Sequence, residues 1–176
     1  MSADIYITAT VFGALGVLAN AIIYQQKTGT KLLIWKICSD VLWMLHYLIL
    51  GGFSAAAIAF IGIVRESIFL NKKHAWARSR LWLLLFVALS ISSAVLTWQS
   101  IISILPMTAS VLSVFAFYRA NPVLSRILAY PISLCMMIYD IFILSHMGII
   151  NETLTLISTT IAVVTMIIAR NNHKSN

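Results

Sequence analysis

Seven apolar segments separated by short polar connections constrain this chain more than any other feature. They are residues 5–24, 32–50, 53–70, 81–97, 100–118, 127–145 and 153–169. A helix needs about 20 apolar residues to cross the hydrocarbon core of a bilayer, which is about 30 Å thick. The runs are continuous rather than alternating, and lipid requires backbone groups to be satisfied within a segment, which favours helices. The sequence therefore predicts an all-α integral membrane protein with seven transmembrane helices.

The composition agrees with lipid as the main solvent of this chain. Of its 176 residues, 61% are hydrophobic and 10% are charged, and the mean hydropathy is +0.96. Soluble domains carry about 25% charged residues. Seven spans with short connections account for nearly the whole length, so we predict a single membrane domain.

The connections between the predicted spans alternate in charge. Lys and Arg lie in or toward the connections 25–31, 71–80 and 119–126 and the tail 170–176, whereas the connections 51–52, 98–99 and 146–152 contain none. The positive-inside rule places the basic set in the cytoplasm, which predicts an outside N-terminus and a cytoplasmic C-terminus. The net charge of +7 then reflects topology, with anionic lipid headgroups as partners rather than nucleic acid.

The two halves of the chain share a weak internal repeat. Residues 17–24 align with 111–118 at an offset of 94, and 43–46 fall opposite 137–140. Because a unit of three spans is odd, a direct copy would be inverted unless an extra span restored its direction. We therefore predict two parallel three-helix units, 5–70 and 100–169, joined by a linker helix at 81–97. This 3+1+3 arrangement resembles that of the SWEET sugar transporters.

Short motifs also resemble the bacterial inner-membrane family called YgjV. They are the loop YQQK at 24–27, the segment LHYLILGGF at 45–53, and Arg65 with Phe69. The second half matches more loosely, with Glu152 at an acidic position of the family and Tyr139 where a histidine is expected. The resemblance implies an inner-membrane location. The loop at 24–27 is also distantly similar to PQ-loop proteins, although the Pro-Gln pair is absent.

Polar residues inside the spans are the candidate site residues, because a charge at mid-membrane costs about 2.5–3.5 kcal/mol on insertion scales. In the repeat, Asp140 falls opposite His46, and a two-fold arrangement of the units would bring these residues together. One hypothesis is a polar central path. Its predicted lining is Asp40, His46, Asp140, Asn20, Trp43 and Tyr139. The alternative is that these groups bond to neighbouring backbone or hydroxyl groups and fix helix packing.

Two further pairs carry hypotheses of their own. Arg65 and Glu66 lie near the cytoplasmic end of the third span. There Arg65 can either extend to headgroups or contact an acidic group of a neighbouring helix. Pro106 and Pro131 are predicted to interrupt the fifth and sixth spans. Such interruptions kink a helix and, in transporters, often mark a hinge or the binding region.

Two function classes remain, since no nucleotide-binding, hydrolase or metalloprotease motif occurs. We expect no enzyme activity, cofactor or metal site. The first class is a carrier or facilitator of a small solute, which should have a water-accessible cavity lined by Asp40, His46 or Asp140. The second is a non-transporting protein that binds a partner or anionic lipid through its basic cytoplasmic face. Assembly into a homo-oligomer is compatible with either.

Overall fold

A computed structural model describes residues 3–23, 29–118 and 122–172. Residues 25–28 of the predicted basic connection 25–31 lie outside this described part, as do Arg119 and Lys174. The described part of the chain is helical and contains no strand. Its seven α-helices are α1 (Ala3–Ile23), α2 (Gly29–Leu50), α3 (Phe53–Leu70), α4 (Leu81–Leu96), α5 (Ile104–Tyr118), α6 (Pro122–Phe142) and α7 (His146–Asn172). Short 3₁₀ turns at Ala75–Arg78 and Ile101–Ser103 precede α4 and α5.

Length and apolar character allow four of these helices to cross a membrane. The four segments are Asp4–Ile22, Leu33–Leu50, Phe53–Leu70 and His146–Thr165. Three more segments are apolar but shorter, namely Leu81–Leu96, Ile101–Ala116 and Ile127–Phe142. The outer surface is apolar as well, since Leu81, Val95 and Leu96 are between 70% and 84% exposed. Such an exterior is expected where lipid rather than water surrounds the protein.

The last two helices begin earlier than the sequence predicted. The predicted third span matches α3 at both ends, but α6 begins at Pro122 instead of 127 and α7 at His146 instead of 153. Proline suits the first position of a helix, because its missing N–H needs no partner there. Ser145 caps α7 by accepting a hydrogen bond from the Gly148 N–H at 3.1 Å. The segment 146–152, predicted as a connection, is therefore the first part of α7.

The helices form a bundle in which chain neighbours pack together. Contacts between α1 and α7 close it, and α3 also touches α5, so that α1, α2, α3, α5, α6 and α7 form a ring. Helix α4 packs against α3 and α5. The Tyr6 hydroxyl bonds to the His146 ring, which places the starts of α1 and α7 together. We call the end where α1, α3 and α7 begin the N-face, and the opposite end the C-face.

Helices α2 and α6 end in the same type of turn. The Gly52 N–H bonds to the carbonyl five residues earlier at 2.8 Å, and Gly51 has φ of 76°. The Ser145 N–H does the same at 2.8 Å, and Leu144 has φ of 57°. This is the Schellman motif, which requires a left-handed residue after the last helical turn. Glycine meets that requirement without strain, whereas Leu144 does not.

Candidate functional site

A cavity of about 270 Å³ lies between six of the seven helices. All helices of the ring contribute to its lining, whereas α4 contributes none of the described lining residues. The polar side chains of the lining are Asn20, Lys36, Asp40, Tyr47, Arg65, Ser110, Ser113, Ser133, Asn151, Glu152 and Thr155. The volume is near the lower limit for ligand pockets, so the cavity suits a small molecule.

Asp40 is the acidic residue that α2 contributes to this cavity. Its Oδ1 atom accepts a hydrogen bond from Lys36, one turn earlier on the same helix. Its Oδ2 atom is buried and has no hydrogen-bond partner among the described residues. This atom faces Gly62 of α3, where a β-carbon would lie only 2.8 Å away. Glycine at position 62 therefore leaves the space that the Asp40 carboxylate occupies.

Arg65 and Glu66 form a buried pair at the C-face side of the cavity. The Arg65 Nε and Nη2 atoms donate to Glu66 Oε1 at 3.2 and 3.0 Å. Arg65 is 5% exposed and lines the cavity, so its side chain lies inside the bundle instead of extending to headgroups. It also interacts electrostatically with Asp40 of the neighbouring helix. Glu66 is 1% exposed, and its Oε2 atom lacks a partner in the described part of the chain.

Asn20 connects three helices by hydrogen bonds. It accepts one from Ser39 Oγ of α2 at 2.8 Å and donates one to Asn151 Oδ1 of α7 at 2.7 Å. Asn151 donates in turn to Glu152 Oε1 at 3.0 Å. Asn151 and Glu152 were missed as site residues because the polar run that contains them was read as a loop. The capping residue Ser145 was the signal that α7 begins earlier.

His46 lies near the N-face and is fully hydrogen-bonded. Its Nδ1 atom is 2.7 Å from the Ala9 carbonyl, and its Nε2 atom is 2.7 Å from Ser145 Oγ. A carbonyl can only accept, so Nδ1 carries the hydrogen, and the neutral ring accepts the Ser145 hydroxyl at Nε2. The ring thus ties α1 and α2 to the start of α7.

Asp140 lies close to His46, and Ser145 is a neighbour of both side chains. The hydroxyls of Ser145 and Tyr47 are its polar neighbours, although neither carboxyl oxygen makes a hydrogen bond of normal geometry in the described ranges. The carboxyl group rests on Gly148 in the first turn of α7, where a β-carbon would overlap it. No described hydrogen bond joins Asp140 directly to His46.

The predicted site residues therefore fall into two groups. Asn20, Asp40 and Trp43 line the cavity, whereas His46, Asp140 and Tyr139 are not among its lining residues. We call these last three residues the N-face cluster. The cavity lining includes one of these groups and not the other, and a polar path through all six residues stays a prediction.

An aromatic layer lies between the cavity and the N-face cluster. Trp43 and Tyr47 both line the cavity and stack with ring centroids 5.7 Å apart. Trp43 meets the His46 ring edge-on at 5.3 Å, and Tyr47 meets Tyr139 at 6.5 Å. Gly16 of α1 admits the Trp43 indole, because a β-carbon there would lie 2.9 Å from Trp43 Cε2. These rings line the cavity on its N-face side and separate it from the N-face cluster.

Of the two prolines, only Pro131 lies inside a helix as predicted. Pro106 is the third residue of α5, and the first turn of any helix has backbone N–H groups without intrahelical partners. It therefore does not interrupt the helix, which follows a separate 3₁₀ turn at Ile101–Ser103. Pro131 lies inside α6, as predicted, and is exposed. There it removes one backbone hydrogen bond.

Comparison with known proteins bears on the family to which this chain belongs. No curated protein and no solved structure matches this sequence significantly. The family Imp-YgjV, described as "Bacterial inner membrane protein", matches residues 7–170. This range includes every described residue that lines the cavity and every member of the N-face cluster. The resemblance to YgjV proteins is confirmed, and the chain belongs to the Imp-YgjV family of bacterial inner membrane proteins.

Proposed function

We propose that this protein is a carrier or facilitator for a small solute that binds in the central cavity. The observation that supports this proposal is a cavity between six helices that is lined in part by polar and charged side chains, in a protein whose exterior is apolar. Ionisable groups inside a membrane protein are costly and usually serve substrate or ion pathways. Four of the five acidic residues of this chain, all except Asp4, lie within α2, α3, α6 and α7.

The lining residues support a cavity between two similar three-helix units. Seven lining residues of the first half each have a counterpart 93 positions later in the chain that also lines the cavity. These pairs are Asn20/Ser113, Lys36/Ala129, Asp40/Ser133, Trp43/Met136, Ile58/Asn151, Ala59/Glu152 and Gly62/Thr155. Helices α2 and α6 start 93 residues apart, as do α3 and α7. The register is thus one residue shorter than the predicted offset of 94.

We infer that the units 5–70 and 100–169 are parallel and that α4 is their connector. The connector role is supported by the position of α4, which packs on α3 and α5 but does not contribute to the described lining. With the basic side in the cytoplasm, the closed aromatic layer would lie toward the outside. The protein would then be in an inward-facing state, and movement of one unit against the other would open the N-face.

Cysteine accessibility tests whether water reaches the cavity. Cys38 and Cys135 are first replaced by Ala, and single cysteines are then introduced at Ser113, Ser133 or Thr155. An impermeant thiol reagent should label these positions from the basic side of oriented vesicles. Ala94→Cys is the matched control, since Ala94 is 4% exposed and belongs to α4, which contributes none of the described lining residues. Cavity positions that are as unreactive as position 94 would contradict the proposal.

Solute movement is tested in reconstituted liposomes by stopped-flow swelling. Gradients of small neutral, cationic and anionic solutes are applied to proteoliposomes and to protein-free liposomes. A carrier or facilitator should accelerate swelling for one class of solute, whereas equal rates across the whole panel would refute transport.

Anionic lipid is a second binding partner that we propose, at the C-face end of α4. An apolar groove there is lined by Trp76, Ser79, Leu81, Trp82, Leu84, Leu85 and Ala88. Four exposed basic residues flank it, namely Lys72, Lys73, Arg78 and Arg80. Tryptophan rings next to basic side chains suit the headgroup level of an anionic leaflet. Replacing all four basic residues by Gln should remove phosphatidylglycerol retained in native mass spectra, and unchanged retention would contradict this role.

A further inference from the structure

We propose that the cavity binds a small organic cation, an alkylammonium group, which donates hydrogen bonds to Asp40 of α2 next to Trp43. This inference rests on the proposed function, because it takes the central cavity as the ligand site. It goes further by stating the charge and the hydrogen-bonding character of the ligand.

Three unpartnered polar atoms lie at or near the cavity, namely the donor Trp43 Nε1 and two carboxyl oxygens, and the two oxygens indicate a ligand that donates hydrogen bonds. The side chain of Asp40 is only 9% exposed, and its Oδ2 atom has no partner among the described residues. Glu66 Oε2 of α3 is also buried and also lacks a hydrogen-bond partner among the described residues. A buried carboxylate oxygen without a donor is unfavourable, because water no longer supplies the missing bond. An ammonium group supplies both the donor and the compensating charge.

The charges around the cavity lead to the same ligand class. Within the described residues, three carboxyl groups, those of Asp40, Glu66 and Glu152, surround two cationic groups, those of Lys36 and Arg65. One additional cation would balance this set, and buried charges are stable only when they are paired. A divalent metal fits less well, since the described chain has no group of three His, Cys, Asp or Glu residues placed to hold one.

Lys36 demonstrates that an ammonium group is accommodated at this carboxylate. Its Nζ atom bonds to Asp40 Oδ1, and it also acts electrostatically on Glu152 across the cavity. A ligand ammonium on Oδ2 would occupy the second oxygen and leave this pair intact. Trp43 lines the cavity one turn from Asp40 and offers an aromatic surface to the alkyl chain or to the charge. The Lys36 ammonium, held on the other oxygen of the same carboxylate, then competes with the ligand through charge repulsion.

Equilibrium dialysis of the full chain in nanodiscs tests the proposal with radiolabelled n-butylammonium as the probe. We expect saturable binding that excess 1-butanol or butanoate does not displace. A charge-assisted hydrogen bond is lost in Asp40→Asn, so affinity should fall about 10- to 100-fold. Asp4→Asn, which removes an exposed acid at the start of α1, should bind like the parent. Lys36→Gln should bind more tightly, because the competing ammonium is gone.

Asp40→Asn leaves Lys36 without its partner, so a second variant guards against misfolding. The double variant Asp40→Asn/Lys36→Gln removes both charges and should fold, elute as the parent does in size exclusion, and still lose binding. Absence of saturable binding in the parent, equal competition by 1-butanol, or unchanged affinity in the double variant would overturn the proposal.

Flux measurements on the same variants separate this inference from the proposed function. Binding of n-butylammonium that depends on Asp40, without flux of any solute, would refute transport but support the cation site. Flux of neutral solutes that is unchanged in Asp40→Asn, together with no saturable binding of n-butylammonium by the parent, would support transport and refute the cation site.

Discussion

Replacing Gly148 by Ala should destabilise this protein, although the same change usually stabilises a helix. Ala is favoured over Gly by about 1 kcal/mol in a helix interior. At Gly148, however, the added β-carbon would overlap three atoms of the Asp140 carboxyl group. Overpacking of this kind costs about 1–3 kcal/mol. Asp140 is 0% exposed and cannot swing into solvent. We therefore expect the free energy of unfolding to fall by up to about 2 kcal/mol, which is the overpacking cost less the helix preference of Ala.

A double-mutant cycle isolates the contact between α6 and α7. Asp140→Ala removes the carboxyl group and leaves room for the new methyl group. In that background Gly148→Ala should be neutral or stabilising by up to about 1 kcal/mol, which gives a coupling energy of about 2 kcal/mol. SDS-induced unfolding in mixed micelles, followed by circular dichroism, measures all four proteins. If Gly148→Ala stabilises the parent, or changes both backgrounds equally, the packing of Asp140 on Gly148 is not as described.

Three other substitutions test the bundle in the same unfolding assay. Leu144→Gly should raise the free energy of unfolding by about 0.5–1 kcal/mol, because glycine adopts the left-handed conformation of this 67% exposed residue without strain. Gly51→Ala should lower the free energy of unfolding by about 1 kcal/mol at the equivalent turn. A lower free energy of unfolding in Leu144→Gly would contradict this reasoning. His46→Ala removes one hydrogen bond from each of two buried partners, the Ala9 carbonyl and Ser145 Oγ, and should cost about 2–3 kcal/mol, so a cost below the noise would show that the ring is not needed. Asn20→Leu should lower both stability and the protection of α7 amides in hydrogen exchange, since Asn20 bonds to α2 and α7, and unaltered protection would argue against this link.

Asp40 lines the cavity whereas Asp140 belongs to the N-face cluster, and this difference gives the two aspartates different roles. Asp40 has an unpartnered oxygen and borders open space, which fits a ligand-binding residue. Asp140 is packed against Gly148 and lies next to capping residue Ser145, which fits a residue that fixes α6 on α7. Sequence alone does not separate these roles, because both residues are single acids in apolar helices.

Much of the fold follows from the sequence because lipid leaves few choices. Continuous apolar runs must be helical in a membrane, so the helices were predictable, and α3 has both its predicted ends. The boundaries failed where polar residues lie within a helix. Asn151 and Glu152 resemble a loop when they are read along the chain, yet they face the interior from the first turns of α7.

The amino-acid sequence by itself determined the helical class, the membrane environment and which ionisable groups had to be inside. Only the tertiary structure decided which of them meet. Each residue turns a helix by about 100°, so an error of one residue in a predicted alignment changes which side chains would face one another. The partners of Asn20 lie 19 and 131 residues away, and the space for Asp40 exists because Gly62 of another helix has no side chain. Such contacts depend on the rotation and depth of each helix against its neighbours, which no local pattern of residues specifies.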